Sequence, residues 1–139
     1  MEQISVKKLE EVLVVAGDDK QKQKEFYELL LSTEFYVAGS LEAEDGATEG
    51  ILRLRHFQGE GRWIVPFFTQ MEFVKDVLPE GTPLITIRGK ELFGSIEKDA
   101  TAVLNVGTDI SKTFIPEEIA DIASGRIFNL NMKWLYQKK

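Results

Sequence analysis

Arg88-Gly89-Lys90 sets two cations around a glycine, a pattern that suits an anion where a strand ends and a helix begins. Thr69 and Asn105 fall at the predicted carboxyl ends of two further strands. The hydroxyl, the carboxamide and the two cations could therefore line one edge of an open sheet, where such sheets take up ligands. Each residue also has a structural reading. Thr69 and Glu72 have the Thr-x-x-Glu spacing of a capping box, with Phe68 and Phe73 placed as its hydrophobic staple. Asn105 precedes Gly107 as a turn amide would. Arg88 and Lys90 suit a solvated edge. His56 is the single histidine, the side-chain type suited to proton transfer near neutrality. Strand parity puts it on the face of Leu52 and Leu54, as a partly buried, hydrogen-bonded ring with no identifiable acid–base partner.

Most other chemistry is excluded. With no Cys, the chain has no disulfide, thiolate nucleophile, Fe–S cluster or cysteine zinc site. One His allows no multi-histidine metal site, so neither a metal nor a cofactor is expected. There is no G-x-S-x-G elbow. Gly89-Lys90 is followed by Glu91 and lacks the upstream glycine of a P-loop. Gly59-Glu60-Gly61 meets Ile64 where a dinucleotide fingerprint needs its third glycine. The acidic stretch 41–50 has Leu41 at the first ligand position of an EF-hand register.

The 139 residues suit one domain, taken as 1–139. A net charge of −6 argues against nucleic acid and anionic membranes as partners. No signal segment or apolar run of membrane-spanning length is read, so a cytoplasmic location is expected. Charge is uneven: residues 1–50 hold twelve acids against five bases, a net of −7, whereas 126–139 hold four bases and no acid.

The elements that position these residues follow from periodicity and caps. Leu9, Val12, Leu13 and Ala16, then Phe26, Leu29, Leu30 and Thr33, predict an N-terminal helical hairpin turning at Gly17-Asp18. Strands are expected at 35–38, 51–57, 63–67, 84–88 and 101–106, with helices at 70–78 and 90–98. That succession contains a βαβαβ unit, which implies parallel strands. Pro116-Glu117-Glu118 opens another helix and Gly125 closes it. Phe128, Leu130, Met132, Trp134 and Tyr136 alternate with polar residues, predicting a C-terminal amphipathic strand that joins the sheet or pairs with a second copy. The fold class is α+β, close to α/β, with a mixed sheet of about five or six strands.

Three blocks carry a family likeness: Phe26-Tyr27-Glu28-Leu29-Leu30-Leu31-Ser32 with Phe35-Tyr36-Val37; Ile64-Val65-Pro66-Phe67-Phe68-Thr69; and Val103-Leu104-Asn105-Val106-Gly107 followed by Lys112-Thr113-Phe114-Ile115-Pro116-Glu117-Glu118-Ile119. Across residues 8–124 the chain resembles the N-terminal domain of the SseB family, bacterial proteins named for enhanced serine sensitivity. It departs at Val106 and Thr108, where the family usually has Pro and Ser. The resemblance implies a fold and no catalytic residues. The leading expectation is a non-catalytic protein-interaction or regulatory module, with an unknown protein partner or a homodimer seam through Phe128, Leu130, Met132, Trp134 and Tyr136. The alternative is a small-ligand or anion-binding domain, possible also as an enzyme, using Arg88, Lys90, Thr69 and Asn105.

Overall fold

The computed structural model describes residues 9–11, 20–42, 51–59 and 61–129. The Gly17-Asp18 turn of the expected hairpin lies outside them. Residues 9–11 are helical, and Leu9 is buried in the main core. Helix α1 (Lys20–Ser32) buries Gln23, Phe26, Tyr27 and Leu30, an i, i+3, i+4, i+7 stripe. The stripe is turned toward Tyr27 from the expected Phe26–Leu29–Leu30–Thr33 face.

Then follow β1 (Glu34–Glu42), β2 (Ile51–Leu54), β3 (Phe57–Gly59), β4 (Arg62–Phe68), α2 (Met71–Val77), β5 (Leu84–Arg88), α3 (Gly89–Phe93), β6 (Thr101–Leu104), β7 (Lys112–Phe114) and α4 (Pro116–Ser124). The seven described strands form one mixed sheet. β1 pairs antiparallel with β5 over Glu34–Ala38, with β4 at Tyr36 and Val37, and with β2 over Gly39–Glu42. β4 pairs antiparallel with β3 and parallel with β6, and β7 closes the far side against β6.

β4 and β5 both run against β1, so β4, β5 and β6 share one direction. The βαβαβ expectation is met in direction, but β1 is inserted between β5 and β4. Only β4 and β6 are parallel neighbours.

Pro66 marks a branch in the sheet. Ile64 is the last β4 residue paired with β3, and Phe67 the first paired with β1. The Phe67 carbonyl accepts the Asn105 N–H at 2.8 Å, so Val65 and Phe67 face β6 and the Pro66 nitrogen faces the gap. A residue with no N–H costs the ladder nothing there.

Alternation along β1, β4 and β5 sends Phe35, Val37, Val65, Phe67 and Ile87 to one face, packed beneath α1, α3 and α4. Phe67 meets Phe35 edge-on at 4.9 Å and Phe93 edge-on at 5.7 Å, with Phe114 at 5.9 Å. Burying each such ring is worth about 1.5–3 kcal/mol. The other face holds a smaller core of Ala38, Phe68, Val74 and Leu78 under α2. α4 begins at Pro116 and ends at Gly125 (φ 83°), as its caps predicted. Arg126–Asn129 then forms a 3₁₀ turn, with Ile127 buried and Phe128 half-buried against the main core. This corrects the tail reading at Phe128, which packs from a turn and not from a strand. Leu130, Met132, Trp134 and Tyr136 lie outside the described residues.

Candidate functional site

Thr69 and Asn105 meet at the carboxyl ends of the parallel pair. Asn105 Oδ1 accepts the Thr69 N–H at 2.9 Å, and Asn105 Nδ2 donates to Thr69 Oγ1 at 3.0 Å. Thr69 Oγ1 donates to Glu10 Oε2 at 2.5 Å, and Gln70 Nε2 reaches the same oxygen at 3.0 Å. Both Thr69 and Asn105 are buried. The capping box is therefore not formed: α2 starts at Met71, its N-cap is Gln70, and no side chain caps it. The turn-amide reading of Asn105 is corrected as well, since its carboxamide crosses to the neighbouring strand. Its backbone carbonyl receives the Thr108 N–H and hydroxyl at 3.1 and 2.8 Å. The cluster ties two strand ends and the segment at Glu10 together, with its donors and acceptors turned toward one another.

Arg88 and Lys90 are exposed, and β1 separates them from Thr69 and Asn105. Between them Gly89 is buried, and its N–H donates to the Thr33 carbonyl at 2.8 Å. A Cβ at Gly89 would lie 1.8 Å from the Leu30 carbonyl oxygen. The glycine thus lets α3, five residues long, start directly against the end of α1. The structure brings together two of the four residues singled out from sequence and holds the two cations apart from them.

β5 lies at the margin of the sheet. The Gly39 N–H donates to the Pro83 carbonyl and the Gly89 N–H to that of Thr33, which fixes the parity of the β1–β5 ladder. Ile85 and Ile87 direct their backbone groups toward β1. The N–H and C=O groups of Leu84, Thr86 and Arg88 point away from it, and β5 has no other strand partner among the described residues. Beside this edge runs a groove of about 700 Å³ floored by Leu41, Leu52, Ile85 and Ile87 and rimmed by Glu34, Arg88 and Glu91. Leu41 is 65% exposed. Strand order is invisible to local periodicity, so the sequence offered no signal for this edge.

A second polar group is buried under the helices. Tyr27 Oη donates to Glu118 Oε2 at 2.8 Å, and Lys112 Nζ lies 3.2 Å from the same oxygen and 4.8 Å above the Phe114 ring. Burial, then the Glu118 charge, pushes the Tyr27 phenol well above its ordinary range, so it stays a donor. Burial also raises the Glu118 carboxyl, against the opposing pull of Lys112 and the Tyr27 hydrogen bond. In sequence Glu118 reads only as an acid in the first turn of α4.

His56 is half-buried, as expected. Its Nε2 accepts the Glu97 N–H at 3.4 Å, which leaves the proton on Nδ1 to donate to the Leu54 carbonyl at 3.2 Å. Both ring nitrogens therefore serve to join the break between β2 and β3 to the loop before β6. Among the described residues no three His, Asp or Glu side chains converge as metal ligands, and no helix is long and apolar enough to cross a membrane.

No curated protein and no solved structure matches the chain. Residues 9–121, the span that holds the Thr69–Asn105 junction and the β5 edge, match the family model for the SseB protein N-terminal domain, and the chain belongs to that family.

Proposed function

We propose that the domain is a non-catalytic protein-interaction module that receives an extended segment along β5. The observation that carries this reading is the row of outward backbone groups at Leu84, Thr86 and Arg88 beside the Leu41–Leu52–Ile85–Ile87 groove. An added strand gains main-chain hydrogen bonds from the edge, and its alternate side chains gain burial in the groove. The carboxyl-edge residues support the same reading from the other side. Thr69 and Asn105 are spent on each other and on Glu10, and the Gly89 N–H is spent on Thr33. Among the described residues of that edge, the polar groups of Thr69 and Asn105 and the Gly89 N–H are therefore engaged within the fold, unlike a poised nucleophile or base.

The test is site-resolved cross-linking in the native host. A photoreactive phenylalanine replaces Leu41 in one protein and the exposed Glu117 in another. The expected result is a discrete protein adduct from position 41, none from 117, and loss of the adduct when Thr86→Pro is added. Proline removes one outward donor while the inward ladder is kept. Equal adducts from both positions, or adducts indifferent to Thr86→Pro, would overturn the reading.

A further inference from the structure

We infer that the cleft between Trp63 and the turn Glu97–Ala100 takes an arginine side chain of a bound protein, with the guanidinium stacked on the indole and its N–H groups met by the Glu97 and Asp99 carboxylates. The site is separate from the β5 edge, because β1 lies between β5 and β4. Its residues come together through the sheet. β4 and β6 run parallel with Ile64 opposite Thr101, so Trp63 and Ala100, one residue earlier on each side, enter together. The Ala100 N–H donates to the Glu97 carbonyl at 3.0 Å, which closes a turn with Lys98 and Asp99 at its corners. The Glu97 N–H reaches His56 Nε2 at 3.4 Å and holds that turn against the residue preceding β3. The resulting cleft is about 310 Å³ and is lined by His56, Trp63, Glu97, Lys98, Asp99 and Ala100.

Three observations select the ligand. First, Trp63 shares a face of β4 with Val65 and Phe67, which are buried, yet it is 52% exposed. Indole is the side-chain ring that attracts a cation best, and here it is open along a cleft. Second, the turn carries two acids against one base, in a chain of net −6. Lys98 is the cleft's own cation and opposes a second one, so the charge offered to a ligand is negative but small. Two further cations close in sequence lie elsewhere: Arg62 alternates to the opposite face of β4, and the Arg55 guanidinium sits 5.0 Å over the Phe57 ring. Third, both His56 ring nitrogens are engaged with backbone groups, so the ring shapes the cleft and the site is one of binding. A guanidinium fits better than an ammonium, since its plane stacks on the indole while its fork meets a carboxylate. A free amino acid brings a carboxylate of its own to the acidic turn, which favours an arginine held within a chain.

Nuclear magnetic resonance on the full chain tests the inference. His56 is the single histidine, so its ring protons give isolated signals from the wall of the cleft. The probe is Nα-acetylarginine amide, whose only charge is the guanidinium. The expected result is a saturable shift of the His56 ring signals with half-saturation in the millimolar range, and none from the neutral isostere Nα-acetylcitrulline amide. Trp63→Leu weakens binding about twofold to fivefold, and Trp63→Phe by less. Glu97→Gln with Asp99→Asn weakens it about threefold or more, and Lys98→Ala strengthens it about twofold. All four positions are exposed, so urea midpoints should stay with the unaltered chain and the variants remain folded. No saturable shift, equal shifts from the arginine and citrulline probes, binding that ignores Trp63→Leu, or weakening by Lys98→Ala would each overturn the inference. So would free arginine binding more tightly than a capped peptide with one central arginine, which makes the ligand a small molecule.

Discussion

The Asn105 carboxamide accepts the Thr69 N–H at 2.9 Å while its own backbone sits in the left-handed region at φ 51°. It is the one non-glycine residue with positive φ among the described residues. Asn tolerates this conformation better than other side chains do, and here its amide also bridges two strand ends. Asn105→Ala removes the bridge, leaving a buried N–H without its partner at about 1–3 kcal/mol, and adds left-handed strain of about 1 kcal/mol. Asn105→Gly loses the bridge without the strain. Denaturant unfolding is expected to rank wild type first, glycine second and alanine last. Alanine equal to or better than glycine would contradict the account.

Gly89→Ala is expected to be the most damaging single methyl at any described glycine. The added carbon would sit 1.8 Å from the Leu30 carbonyl oxygen, a backbone atom that cannot swing aside. α1 and α3 would have to separate and the Gly89–Thr33 hydrogen bond would break, at a cost above about 3 kcal/mol. The flanking Arg88→Ala and Lys90→Ala changes touch exposed side chains and should move the urea midpoint by less than about 0.5 kcal/mol equivalent.

Gly125→Ala probes conformation without collision. Gly125 caps α4 at φ 83°, and nothing lies within 4 Å of the carbon to be added. The cost is then the left-handed penalty alone, about 1 kcal/mol, with the core unchanged. A loss near that of Gly89→Ala would point to a contact at the end of α4 that this geometry does not contain.

These residues also mark what could be read without the structure. Pro116, Glu118 and Gly125 bounded α4 because caps act through local backbone chemistry. The strand at 84–88 was legible from its spacing, and the one read at 101–106 is found at 101–104; Thr69 and Asn105 were read only as residues of one carboxyl edge, not as partners of each other. The capping box at Thr69 failed because Glu10 and Asn105, 59 and 36 positions away, take its hydroxyl and its N–H. Such competition is tertiary and leaves no local trace. β7 spans three residues, too few for periodicity to register. The separation of Arg88 from Asn105 depends on β1 entering between β5 and β4, a matter of strand order that alternation cannot encode.

Glu118 makes stability depend on pH in a direction opposite to that of a carboxylate whose pKa an ion pair lowers on folding. Burial raises its pKa in the folded chain, so the native state holds a proton that the unfolded state releases. Stability from this group is fully present below the ordinary carboxylate range and is lost as pH rises through the raised value. Glu118→Gln keeps an acceptor for the Tyr27 hydroxyl and does not titrate. Unfolding midpoints of the two proteins should therefore diverge in the variant's favour as pH rises above the ordinary carboxylate range. Tyr27→Phe removes a donor to the charged form, pushes the carboxyl higher still and should steepen the wild-type decline. A gap that stays constant, or that moves in favour of Glu118 with rising pH, would show that Lys112, 3.2 Å from the carboxylate, outweighs its desolvation.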